Sequence, residues 1–151
     1  MFFLGGDPML TVALFLALAQ TTAAPATPAW TPTTEEAASS EANKKVLAAG
    51  RPLTVTGEVV DVSCYTQMGK RGEAHKACGA KCVLAGAPVG IVTADNTLYI
   101  LMPEPHHPRR DGQVSIAKEY SEKMASTVTV SGMASEFGGI HTLFIAAPAM
   151  K

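Results

Sequence analysis

Five stretches of alternating apolar and polar residues, each bounded by turn residues, constrain this chain more than any other feature. "LTVTGEVVDV" (Leu53 to Val62) sets Leu53, Val55, Gly57 and Val59 on one face, the period of a half-buried strand, with Gly57 able to serve as a bulge or bend. "VGIVTADNTLYILM" reads as a hairpin: Val89 to Thr93, a turn at Asp95-Asn96, then Thr97 to Met102. "STVTVSGMASEFGGIHTLFIAAP" reads as a second hairpin turning at Gly138-Gly139 and returning over Ile140 to Ala146. Between the hairpins, "PEPHHPRRDG" is loop. "SIAKEYSEKMAS" (Ser115 to Ser126) then carries Ile116, Tyr120 and Met124 at four-residue spacing, which predicts one or two helical turns. Alternation places Leu53, Val55, Val59, Val89, Ile91, Leu98, Ile100, Val128, Val130, Leu143 and Ile145 inside, and a slip of one residue would exchange the faces of any strand.

The element order is strand, helix, strand, strand, short helix, strand, strand. Five strands with a short helix between the third and fourth is the order of the OB-fold, a small barrel. The expected class is therefore mainly β with short helices: a five-stranded OB-like barrel with a helical Cys/His insertion between strands one and two. An SH3-like barrel or another small α+β roll are the alternatives. The glycine in the first strand and the valine-rich fourth strand resemble those of the small exported bacterial OB-fold proteins, over about Leu53 to Pro148. That resemblance implies the fold and an extracytoplasmic location.

The first 50 residues lack this alternation. An apolar run from Leu10 to Ala19 precedes small residues that suit signal peptidase, with Ala17-Leu18-Ala19 the preferred cut and Thr22-Ala23-Ala24 its rival. The run is about ten residues, against roughly 20 for a membrane-spanning helix. The n-region has no Lys or Arg, and a start at Met9 would leave only the α-amino charge. The reading is a signal peptide over 1–19, a flexible Ala/Pro/Thr/Ser/Glu-rich linker over 20–50, and the OB-like domain over 51–151. A short helix within the linker is expected from Glu35 to Ala49. The product would be periplasmic or secreted, without stable membrane insertion once the leader is cut. All 12 Lys and Arg and 12 of the 13 acids lie after the leader, so the mature chain is formally neutral. Such a balance gives no electrostatic case for nucleic acid.

Function has to pass through "DVSCYTQMGKRGEAHKACGAKC" (Asp61 to Cys82), which holds all three cysteines and one of the four histidines. "GEAHKACGAKCVLAGAP" has helix signals: Gly72 to cap, Glu73 in the first turn, Gly86 at C′ and Pro88 beyond. On one regular helix, His75 and Cys82 differ by about 20° around the axis and Cys78 lies about 60° from His75, so all three share a face. Cys64, ending the first strand, can be folded over that face by the loop "YTQMGKR".

Cys64, His75, Cys78 and Cys82 then make a Cys₃His set, the right number and softness for zinc. Thiolates and imidazole also suit copper as Cu(I), with Met68 assisting. C-x-x-x-C with a histidine resembles, in spacing only, the copper site of Sco-type chaperones, which carry it on a thioredoxin-like fold. The alternative is a disulfide-stapled binding module without metal, Cys64 bridging to Cys78 or Cys82. A third reading buries the cysteines as inert core. Lys70, Arg71, Lys76 and Lys81 surround the segment against Glu73 alone, which would favour thiolates, although for Lys76 and Lys81 the solvated side of a helix is the expected role.

Other candidates are weaker. "EPHHPRR" offers Glu104, His106 and His107, but adjacent histidines in a proline-rich loop have no enforced geometry, and a solvated loop is expected. His141 is expected to be solvated. No hydrolase, zincin, phosphate-loop or c-type haem motif is present, so no enzyme activity is expected. Cys64 with His75 as nucleophile and base lacks a third partner. Only Tyr99 could offer a base-stacking platform on strands two and three, a second argument against nucleic acid. The expected partner is a metal ion, and the sequence does not identify a protein partner.

Overall fold

The computed structural model describes residues 26–105 and 115–146. Its organising element is the first strand, β1 (Arg51–Asp61), whose 11 residues serve two neighbours. Arg51 to Glu58 pair antiparallel with β4 (Thr127–Phe137), and Gly57 to Asp61 pair antiparallel with β2 (Val89–Thr93). Gly57 takes part in both pairings. A Cβ added there would collide with the Val92 carbonyl, so the close approach requires glycine.

β2 continues through a turn into β3 (Leu98–Pro103), and β5 (Ile140–Ile145) lies parallel to β3 and antiparallel to β4. The strand order β1-β2-β3-β5-β4 closes on itself as a barrel. This is the five-stranded OB-like barrel expected from the element order. The helical insertion lies between β1 and β2, and a short helix, Ala117–Glu122, precedes β4.

Val55, Val59, Val89, Ile91, Leu143 and Ile145 form the core with Leu101 and Ala134, and Leu53, Val128 and Val130 pack against it. Ile116, Tyr120 and Met124 close one side from the helical segment, all buried. Each such side chain contributes about 1.5–3 kcal/mol by leaving water.

β3 departs from the expected face. Ile91, which points inward, pairs with Tyr99, so Tyr99 and Leu101 face the core while Leu98 and Ile100 face out. Leu98 and Ile100 are only half-buried and line an external groove of about 410 Å³ with Val62, Thr66, Ile140 and His141. A strand apolar on both faces has no alternation to read, and the pairing with β2 chose the face.

The stretch read as a linker carries two short helices rather than one, α1 (Pro32–Ala37) and α2 (Glu41–Ala48). Ser40 interrupts the expected run because its side chain accepts the Asn43 N–H and starts a new helix. Trp30 sets its ring edge-on to Phe144 of β5, centroids 5.4 Å apart, and donates Nε1–H to the Leu47 carbonyl at 3.0 Å. Thr31 N–H donates to the buried Glu104 carboxylate at 2.7 Å, and Thr34 Oγ1 to the Glu104 carbonyl at 3.0 Å. One large residue and one buried acid thus seat this segment on the barrel. Among the described residues, no helix is long and apolar enough to cross a membrane.

Candidate metal centre

The site begins where β1 ends. Val55, Gly57 and Val59 are buried on the inward face, and two residues further the same alternation brings Asp61 in at 0% exposure. Its Oδ1 accepts the Ser63 N–H at 2.9 Å and the Cys64 N–H at 3.4 Å, capping the helix α3 (Val62–Met68). Cys64 therefore sits in the first turn of a helix rather than at the end of the strand, and most of the expected loop "YTQMGKR" is helical. The sequence Asp-x-x-Cys at a strand end explains it, because a side-chain cap starts a helix where the ladder stops. α3 closes on Gly69 in the left-handed conformation, and Glu58 pins the following turn by accepting the Gly72 N–H.

The second half is not one regular helix. Glu73–His75 is a 3₁₀ turn, and the α-helix α4 runs Lys76–Leu84. His75 is the N-cap of α4 at φ −104°, ψ −7°, so the 100° step of the helix does not extend back to it. His75 is buried, Cys82 half-buried and Cys78 exposed, which replaces the expected common face with a gradient of burial. Gly79 leaves room for the imidazole: a Cβ there would stand 3.3 Å from His75 Cδ2 and 3.0 Å from Met124 Sδ. α4 packs on β1 and on the helix before β4, α5 (Ala117–Glu122).

These elements bring one donor atom each from Asp61, Cys64 and His75 within 4.8 Å of one another. Asp61 Oδ2 and His75 Nε2 are 3.9 Å apart, and both are buried without a hydrogen-bond partner. At 3.9 Å they do not hydrogen-bond. Tetrahedral ligands at about 2.0–2.3 Å from an ion stand roughly 3.3–3.7 Å apart, so an ion would draw the donors slightly together. The cluster can hold a metal ion.

The thiols feel the carboxylate. The Cys64 thiol is pushed up to about 11, first by its proton's attraction to Asp61, then by burial, the Asp61 charge and Cys82. Cys82 is raised by burial first, then by Cys78 and Asp61. The expected cationic assistance to thiolates is thus overturned. Arg71 lies 3.9 Å from Glu58 and Lys76 3.4 Å from Glu73, so these cations answer their own acids. Cys64, Cys78 and Cys82 are all free thiols, no pair at bonding distance, so the alternative staple is not formed.

The structure therefore joins Cys64 and His75, sets Cys82 beside them, and leaves Cys78 at the surface next to Cys82. Asp61 was not among the expected ligands. Its signal was present, since extending the alternation of β1 by two residues puts an acid at an inward position.

Of the other candidates, Glu104 is buried under the N-terminal segment, while His106 and His107 lie outside the described residues. The side chain of His141 is 41% exposed, its Nδ1 3.2 Å from Glu136 Oε1 and its ring 5.5 Å from that of Tyr99. Comparison with protein-family models, curated proteins and solved structures found no match.

Proposed function

We propose that the protein is an exported domain that carries a metal ion on Asp61, Cys64 and His75, with Cys82 as fourth donor and Zn²⁺ as the ion. The observation that carries this reading is the pair of buried, unpartnered atoms, Asp61 Oδ2 and His75 Nε2, facing each other beside a thiol. Leaving a buried polar atom unsatisfied costs about 1–3 kcal/mol, and a shared cation would offset both penalties. A carboxylate oxygen among the donors favours Zn²⁺ over Cu(I), which selects thiolate and thioether. Met68, the thioether that a copper site would recruit, is 56% exposed and outside the cluster.

A thiol nucleophile is disfavoured on the same geometry. The carboxylate stands against the Cys64 thiol and raises its pKa, the reverse of activation. Export belongs to the proposal on the strength of the leader, as does kinship with the small exported bacterial OB-fold proteins on the strand pattern.

Reduced protein should bind one Zn²⁺ per chain and release protons as the thiols ionise. Co²⁺ in its place should give thiolate-to-metal charge-transfer absorption. Reduced protein that takes up neither ion overturns the metal reading. A secreted or periplasmic product beginning after Ala19 would support export, and a cytoplasmic one retaining Met1 or Met9 would overturn it.

A further inference from the structure

Resting on that reading, we infer that Cys78 is the entry thiol of the site: with Cys82 it receives the ion from a thiol-bearing or chelating donor and passes it inward. Cys78 and Cys82 lie four residues apart on α4, so their sulfurs are neighbours on one helix face. Cys82 also feels Asp61 and interacts with Cys64. The donors thus form a line: Cys78 exposed, Cys82 and Cys64 half-buried, His75 and Asp61 buried. The outer end of that line is the most open to a donor molecule. The inner end is where two polar atoms lack partners, which makes it the thermodynamic destination.

Transfer is ligand exchange, with no change of oxidation state. The ion first bonds the Cys78 and Cys82 sulfurs as its bonds to the donor's ligands break, each thiol losing its proton to solvent or to the departing donor ligand. Cys64 then bonds the ion and releases its proton as the bond to Cys78 breaks and Cys78 is reprotonated. Asp61 Oδ2 and His75 Nε2 complete the set by donating lone pairs. Cys78 ends as a free thiol, ready for the next exchange.

The test uses full-length reduced protein and Zn²⁺ held on a chromophoric chelator whose colour reports transfer. Cys78→Ser should leave the equilibrium affinity unchanged and slow transfer by about tenfold or more, because the donor loses its most exposed contact. Cys82→Ser should lower both rate and affinity. In zinc-loaded wild type, iodoacetamide should modify Cys78 and spare Cys64 and Cys82. The inference is overturned by a Cys78→Ser variant that loads as fast as wild type. It is also overturned by a loss of affinity equal to that of Cys64→Ser, or by Cys78 protected in the loaded protein, since either would make Cys78 a resident ligand. These outcomes leave metal binding by wild type intact, whereas failure of wild type to bind at all removes both proposals. Ser at an exposed helix position does not endanger folding.

Discussion

Two carboxylates are buried among the described residues, and they are treated in opposite ways. Glu104, 6% exposed, accepts the Thr31 N–H, and its main chain is held by Ile145 and Thr34, leaving no buried oxygen without a partner. Asp61, 0% exposed, satisfies one oxygen by capping α3 and leaves the other facing an equally unsatisfied imidazole nitrogen. The same functional group at similar burial is closed in one place and open in the other. A closed acid is explained by the structure it holds together. An open one beside a thiol and a histidine is what the proposed metal ion would satisfy.

The sharpest way to break this contrast is Asp61→Asn. Asparagine caps a helix as well as aspartate, so α3 should survive. Metal affinity should fall by more than about a hundredfold, because even indirect partners of a metal site are worth about 10–100-fold. Metal-free stability should be unchanged or higher, since a buried charge has been removed. Competitive titration and thermal melts check both halves, and an unchanged affinity would make Asp61 a structural residue like Glu104.

Glu104→Ala should do the reverse. The Thr31 N–H loses its acceptor, and the fold should weaken by about 1–3 kcal/mol by denaturant titration, with metal affinity unaltered. Trp30→Ala should act in the same direction by about 2 kcal/mol, losing the contact with Phe144 and the bond to Leu47. If Trp30→Ala shifted metal affinity, the two regions would be coupled and the contrast between them lost.

The smallest effect is one of pH. Metal-free Cys64 has its pKa raised from an ordinary 9.0 to about 11, so the folded chain holds this proton more tightly than the unfolded one. Its contribution to stability is therefore complete below about pH 9 and lost as the pH rises through about 11. Alkylation of Cys64 should follow the raised midpoint. Asp61→Asn should return it toward the ordinary value, and Glu104→Gln should leave it where it is.

Strand order and most of the inward face could be read from the chain because both are local periods. The bounds of β2, Val89–Thr93, are those read from alternation and turn residues alone. The inward residues of β1 and β5 followed from the same pattern. β3 could not be read, because Leu98, Tyr99, Ile100 and Leu101 are all apolar enough for either side. The site was legible in part. Clustering of Cys64, His75, Cys78 and Cys82 marked the segment, but helical geometry assigned His75, Cys78 and Cys82 to one face, and a single 3₁₀ turn ending at His75 changed which of them is buried.

What the sequence determined by itself was the barrel's element order, the place of the insertion between its first two strands, and the residue types available as ligands. Each is fixed by neighbours a few positions away, through strand alternation, turn chemistry and composition. Only the tertiary structure decided that Asp61, inward by alternation, lies against Cys64 and His75, that Cys78 stays outside, and that β3 turns Tyr99 inward. Whether a buried oxygen or nitrogen lacks a partner depends on every element packed around it, and those elements come from distant parts of the chain.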